Sequence, residues 1–486
     1  MATRDAGYRD APAAIAEFVD NALQAGARDI SIRLMRPSGD CDHPEVLVID
    51  DGAGMSFEAL HHALTFGGSS RFNDRQSLGR YGMGLPNGAL SIARRVDVYS
   101  WQGDAVHACT LDIDNFIDGG RRTLGTVERV RRPEFVPSTS SGTAIYLSKC
   151  DQIGYKRRAF LRRRLVEEIG RMFRYFLSSG VEISIDDEDV APVDPLFLIP
   201  EARLSGAQPF GDILTYELQG AAASGEVRVR FSELPVEEWH RASNKEKRRQ
   251  GITNAETVSI VRAGREIDAG WWFMGDKRRE NYDDWWRCEV SFDPHLDELF
   301  GVTHTKQGIR PTQELLALLS QDLAPIARAL NRRVRDRFEA AKQGEALSRA
   351  EDRAARASAA LPPLPNRCDE FPGGLQPVPY SDDGEVSGAR YRIRAADLNG
   401  TSAYEAVLRA GNVLVLLNKR HPLYRDLYAP LADLDDEAHK DLAERLALLL
   451  LSLGHAELAT SSAHERTAVQ QFRQRWDDVI ATFFND

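Results

Sequence analysis

The run Val46-Leu47-Val48-Ile49, with the five residues that end it, Asp50-Asp51-Gly52-Ala53-Gly54, constrains this chain most. Four consecutive aliphatic residues read as a strand buried on both faces, and such a strand needs partners beside it and cover above and below. The two glycines let the backbone turn sharply and approach a ligand closely, with the Asp50 carboxylate at the strand's exit. That carboxylate can accept a hydrogen bond from a ligand amino group such as adenine's, or it can simply cap a turn. Ile30 to Leu34 supplies a second strand just upstream.

Before both strands, Ile15, Phe18, Val19, Ala22 and Leu23 recur at spacings of three and four, which predicts an amphipathic helix over Pro12 to Ala27. Pro12 suits its first turn. Glu17, Asp20, Asn21 and Gln24 share the opposite face, with Glu17 and Asn21 four apart and therefore stacked one turn above the other. A carboxylate there can polarise a water for attack on a phosphoryl group, and a neutral amide oxygen can complete a Mg²⁺ shell shared with phosphates. For the Glu-x-x-x-Asn pair taken by itself, a solvated helix face is the favoured reading.

Residues 65 to 84 are rich in loop formers, including Gly67, Gly68, Ser69, Ser70, Gly79, Gly82 and Gly84, the usual composition of a lid beside a site. A short helix over Asn87 to Arg94 and a strand over Val96 to Trp101 follow. Gly79-Arg80-Tyr81-Gly82-Met83-Gly84 can wrap phosphates with backbone N–H groups and pass them to that helix's N-terminus. Its spacing, Gly-x-x-Gly-x-Gly after a loop, matches neither the dinucleotide fingerprint nor the P-loop.

Each motif alone is weak, but their order is specific. AIAEFVDNALQAGA, VIDDGAGM, SLGRYGMGLPNGA and the Gly142-Thr143 pair of SGTAIYLS resemble, in sequence order and spacing, the four ATP-site motifs of the GHKL superfamily. The resemblance implies a Bergerat-type α/β sandwich with ATP and Mg²⁺ as ligands. It makes Glu17 the general base and Asn21 the metal ligand, and it has Asp50 read adenine with Thr143 assisting through water. Gly52, Gly54 and Met55 would line the base pocket; Gly79, Tyr81, Gly82, Met83, Gly84 and Leu85 would meet the phosphates; Gly67, Gly68, Ser69 and Ser70 would lie in the lid. FGVTHTKQGIRPT resembles the loop by which a transducer-type, ribosomal S5-like domain presents a lysine to the γ-phosphate, so Lys306 is the candidate sensor. GRYGMGLPNGA, IVRAGREI and THTKQG are most similar to the MORC branch, with the departure that Pro86 and Asn87 stand where that branch usually has a lysine. The family's habit implies a homodimer gated by ATP.

Strand-like stretches dominate residues 200 to 330, among them Glu226 to Phe231, Thr257 to Arg262 and Cys288 to Phe292, before a helix over Thr312 to Arg337. An alanine- and charge-rich helical extension and a proline-rich linker lead to a last unit with a β-hairpin around Gly411-Asn412 and two helices. The expected domains are 1–195 for ATP binding, 196–338 for the transducer, 339–388 for extension and linker, and 389–486 for a C-terminal α+β unit, giving an α+β chain overall.

A net charge of −11 argues against a surface that coats nucleic acid everywhere. Basic clusters remain at Lys156 to Arg158 with Arg162 to Arg164, at Lys245 to Arg249, at Lys277 to Arg279 and at Arg332 to Arg337. Double-stranded DNA is therefore one expected cargo, in genome or phage defence. A chaperone-like ATPase, or a nucleotide-gated adaptor docking a partner protein through residues 389–486, are the alternatives. The five cysteines are scattered without a Cys-x-x-Cys pair, and no apolar run is long enough to span a bilayer, so the expectation is a cytoplasmic protein with reduced thiols and no membrane partner. His61, His62, His304 and His421 have no ligand set around them, and Trp271, Trp272, Trp285 and Trp286 read as packing of the second domain.

Overall fold

The structure, a computed structural model, describes residues 8–37, 42–64, 84–117, 126–221, 223–303, 307–361, 364–365, 391–409, 412–434, 437–460 and 462–484. Helices of nine residues or more are numbered α1 (Ala11–Gln24), α2 (Gly84–Ile92), α3 (Arg158–Met172), α4 (Gln313–Ala357), α5 (Glu437–Leu458) and α6 (Ala463–Phe484). The architecture is mixed α+β, in two compact units, residues 1–332 and 333–486.

The first unit holds two sheets. One consists of β1 (Asp29–Met35), β2 (Glu45–Asp50), β3 (Arg95–Gln102), β4 (Ala105–Asp112), β5 (Glu128–Val130), β6 (Ser141–Ser148), β7 (Glu182–Ile185) and β8 (Glu188–Asp189), in the order β5-β4-β3-β6-β2-β1-β7-β8. Only β1 and β7 pair in parallel among these described strands. Every residue of β2 is buried, as its unbroken aliphatic run requires. Val46 and Val48 pack under α1, α2 and α3 with Ile15, Phe18 and Leu165, while Leu47 and Ile49 face a smaller cluster around Trp101, Val106 and Ala144. Asp50 is thus delivered to the end of a strand covered on both sides.

The second sheet contains β9 (Gln208–Gln219), β10 (Ser224–Glu233), β11 (Val258–Arg262), β12 (Arg265–Gly270) and β13 (Trp286–Phe292), ordered β12-β11-β13-β10-β9. It packs on Leu315, Leu319, Leu323 and Leu330 of α4, and Trp285 and Trp286 are buried in this unit, as packing residues should be. The apolar spacing of Leu161, Leu165, Ile169, Phe173 and Phe176 would suit one continuous helix, but the helix breaks at Phe173, so that Arg174 begins a separate short helix with its side chain fully buried.

In the second unit, β14 (Tyr391–Ala396), β16 (Asn412–Asn418) and β15 (Tyr404–Arg409) form a sheet in that spatial order, β15 and β16 being the expected antiparallel hairpin. Its core includes Leu347 and Ala350 of α4 and Ala447, Leu450 and Leu451 of α5. Among the described residues, no helix is long and apolar enough to cross a membrane.

Candidate nucleotide site

The helix α1 starts where the sequence places it. The Asp10 side chain accepts from the Ala13 N–H at 3.1 Å and Pro12 occupies the first turn. Its polar face is not solvated, however, because Glu17 is 3% and Asp20 0% exposed. The second sheet covers that face: Arg265 of β12, itself 2% exposed, sets Nε 3.1 Å from Asp20 Oδ1. Glu17 meets the start of α2 instead. A Cβ on Gly84 would fall 2.8 Å from Glu17 Oε2, so a larger residue there would push the carboxylate aside. Asn21 lies one turn further along α1, half-buried, and Leu85 packs against the core beside Gly84.

The second part of the site is built by the pairing of β2, β6 and β3. Asp50 lies opposite Thr143, and its Oδ1 accepts from the Gly52 N–H at 2.9 Å. Gly54 runs at φ +66°, where a Cβ would lie 2.3 Å from the Trp101 carbonyl oxygen, which explains a glycine there on both counts. Met55, packed on the core, donates its N–H to Ser100 Oγ at 2.7 Å. Ser100 in turn donates to the Gly142 carbonyl at 3.0 Å and lies 3.2 Å from Thr143 Oγ1. This fully buried serine therefore ties the turn after β2 to the Gly142-Thr143 pair. It is the residue the sequence does not single out, since a serine in an alternating strand carries no signal of its own.

Burial pushes the Asp50 carboxyl up to about 6 from the ordinary 3.8, against the pull of the Gly52 and Thr143 backbone N–H groups and with help from the Asp51 charge. The protonated form is thus favoured in the folded state. The stability this contributes is complete below pH 4 and is lost as pH rises through about 6. An Asp50→Asn variant cannot ionise there. The wild type should lose on the order of 3 kcal/mol relative to it between pH 4 and pH 7.5, read by urea unfolding at both values; parallel stabilities across that range would refute the raised value. If Asp50 has the adenine-reading role that the resemblance implies, ATP affinity should run the other way, falling as Asp50 becomes protonated below about pH 6, because the neutral acid is a poorer acceptor for an amino group.

Gly67, Gly68, Ser69, Ser70, Gly79, Tyr81, Gly82, Met83 and Lys306 lie outside the described residues. The loop that carries Lys306 is described on both sides. Gln307 donates its N–H to Thr303 Oγ1 at 3.2 Å, and its Oε1 accepts from the Arg9 N–H, just before α1, at 2.5 Å. Asp268 of β12 accepts from the Ile309 N–H at 3.1 Å. One strand, β12, thereby touches the Glu17 helix through Arg265 and the Lys306 loop through Asp268.

Mg²⁺ takes oxygen ligands and keeps several from water and phosphate. The donors here fit that chemistry: the Asn21 amide on the Glu17 helix, and Asn87 in the first turn of α2, whose buried Oδ1 has no hydrogen-bond partner. Among the described residues no cluster of three or more His, Cys, Asp or Glu could hold a metal by itself, so a cation here would come with a phosphorylated ligand.

Residues 9–143 match the family model described as histidine kinase-, DNA gyrase B- and HSP90-like ATPase. The ATPase morc-1 of Caenorhabditis elegans is 43% identical over 84 residues, which is 17% of this chain and 9% of that protein. The chain therefore spans a small part of that relative. Among solved structures, the N-terminal domain of a DNA repair protein gives a TM-score of 0.40 at 13% identity, covering 67% of this chain and 97% of that one. The B-subunit of the DNA gyrase from Myxococcus xanthus gives 0.36 at 12% identity, covering 65% and 89%.

Proposed function

We propose, on the premise that residues 9–143 belong to the histidine kinase-, DNA gyrase B- and HSP90-like ATPases, that this chain binds and hydrolyses ATP as a nucleotide-gated dimeric clamp on DNA. The observation that carries the reading is the close approach of the Glu17 carboxylate to Gly84 at the head of α2, beside the buried Asp50, Ser100 and Thr143. Asp50 accepts from the adenine amino group, and Met55 flanks the base. The α2 N-terminus and the glycines before it receive the phosphates. Glu17, held in place by burial, polarises the water that attacks the γ-phosphate in line. Asn21 and Asn87 would hold Mg²⁺, which supplies charge neutralisation on the phosphates.

Lys306 is the γ-phosphate sensor, and the hydrogen bond from Arg9 to Gln307, which ties the residue next to it to the segment before α1, supports that role. The resemblance of the glycine loop to the MORC branch supports a role in genome or phage defence in the cytoplasm. Exposed Phe472, Val479 and Phe483, spaced seven and four along α6, support docking of a partner protein by residues 389–486. In sedimentation experiments, a non-hydrolysable ATP analogue with Mg²⁺ should double the mass of the wild type, and should leave Asp50→Asn monomeric. An unchanged mass for the wild type would sink the gating mechanism.

A further inference from the structure

We infer that the groove where the chain enters α3 binds the phosphodiester backbone of a nucleic acid. It is a cavity of about 450 Å³ formed by the loop before α3 and by that helix's outer face, with Lys156, Arg157, Phe160, Arg163, Arg164 and Glu167 in its wall. The inference rests on the clamp proposal for the identity of the cargo and on the groove's own chemistry for its position.

The cations of this segment divide into two sets. Arg158 is 3.0 Å from Asp186, Arg162 pairs with Glu188, and Arg164 is 2.6 Å from Glu168. Lys156, Arg157 and Arg163 are exposed, and among the described residues none of them has a carboxylate within ion-pair distance. Three unneutralised cations thus share one concavity in a chain whose net charge is −11. A polyanion laid in the groove would neutralise all three at once.

Phe160 separates the two arginines. It is 46% exposed, and the guanidinium carbons of Arg157 and Arg163 lie 5.9 and 5.3 Å from its ring centroid. Arg157 caps α3 and Phe160 and Arg163 lie in its first two turns, and six residues at ~1.5 Å each set the backbones of the two arginines roughly 9 Å apart along the axis. That spread exceeds what one phosphate can bridge and suits successive phosphates of a strand, each taken by a guanidinium fork. The exposed ring between them would give a sugar or an unpaired base an apolar contact beside the two guanidinium forks.

The test uses the full chain and fluorescence anisotropy with a labelled 30-base-pair duplex and the matching single strand, between 50 and 200 mM KCl. Arg157→Gln/Arg163→Gln should bind at least tenfold more weakly than the wild type. Its salt slope should be smaller by about 0.9 per lost contact on the duplex, or about 0.7 on the single strand. Phe160→Ala should weaken the single strand more than the duplex. Lys156→Gln, an exposed single change, gives the same direction if the double variant is misfolded by circular dichroism. Unchanged affinity and slope in these variants would overturn the inference, as would a wild-type groove that takes polyglutamate and neither oligonucleotide. Basal ATP turnover measured without DNA separates the two readings. Turnover without DNA binding leaves the ATPase standing and removes the groove, whereas groove-dependent DNA binding without turnover does the reverse.

Discussion

Glu17→Gln is expected to lower ATP turnover by about 10²- to 10⁴-fold, the usual contribution of a general base, while ATP still binds. The substitution keeps the shape of the side chain and removes only its basicity, which matters because Glu17 is 3% exposed and abuts Gly84. The thermal transition and circular dichroism of the variant check that the fold survives the substitution. Single-turnover hydrolysis, with binding of a fluorescent ATP analogue as control, measures both quantities. Wild-type turnover in the variant would remove Glu17 from the chemistry. Loss of binding along with turnover would instead make it a positioning group for the nucleotide.

Much of this site can be read in the sequence because its parts are local. The aliphatic run of β2 announces a strand buried on both faces, and the observed burial of all six residues follows. The three- and four-residue spacing of α1 gives its apolar stripe, and the glycines after Asp50 and before α2 mark close backbone approaches. What the sequence hides is long-range. Nothing near Asp20 announces that Arg265 will cover it, so a face with a polar pattern reads as solvated when it is an interface between layers. Ser100 acquires its role only once β3 pairs with β6. The strand β9 is only half legible: Leu214, Tyr216 and Leu218 alternate with polar residues and pack on the core, whereas its first half, at the edge of the sheet, has no such alternation. The break at Phe173 is equally invisible, because the apolar periodicity of α3 continues through it while the backbone does not.

That break turns Arg174 inward among buried carboxylates. Arg174→Met is expected to lower the unfolding free energy by on the order of 3–5 kcal/mol at pH 7.5, the cost of removing one partner from a buried charge cluster. The Arg174 Nη1 is 2.7 Å from Glu266 Oε2, and its Nη2 is 2.6 Å from Glu289 Oε2 and 2.9 Å from Ser259 Oγ, with all three ionised side chains buried. Burial alone would raise the Glu266 carboxyl, but Arg171 and Arg174 outweigh it and hold the group below the usual carboxylate range. A depressed acid contributes stability above its unfolded value and loses it as pH falls. The variant loses that contribution, and its deficit should be widest at pH 7.5 and shrink towards pH 4, where the stranded Glu266 can take up a proton. Urea unfolding at both pH values tests this, and a pH-independent loss below about 1 kcal/mol would show that the cluster is not a structural hub. Glu289→Gln added to Arg174→Met should recover part of the loss at pH 7.5 by removing one stranded charge. Glu266 precedes neither layer in isolation: it adjoins Arg265, which holds Asp20 on the Glu17 helix. Slackening the hub should therefore slow ATP turnover more than it weakens ATP binding, because the pocket around Asp50 is assembled within the first sheet while the orientation of the Glu17 helix depends on the second.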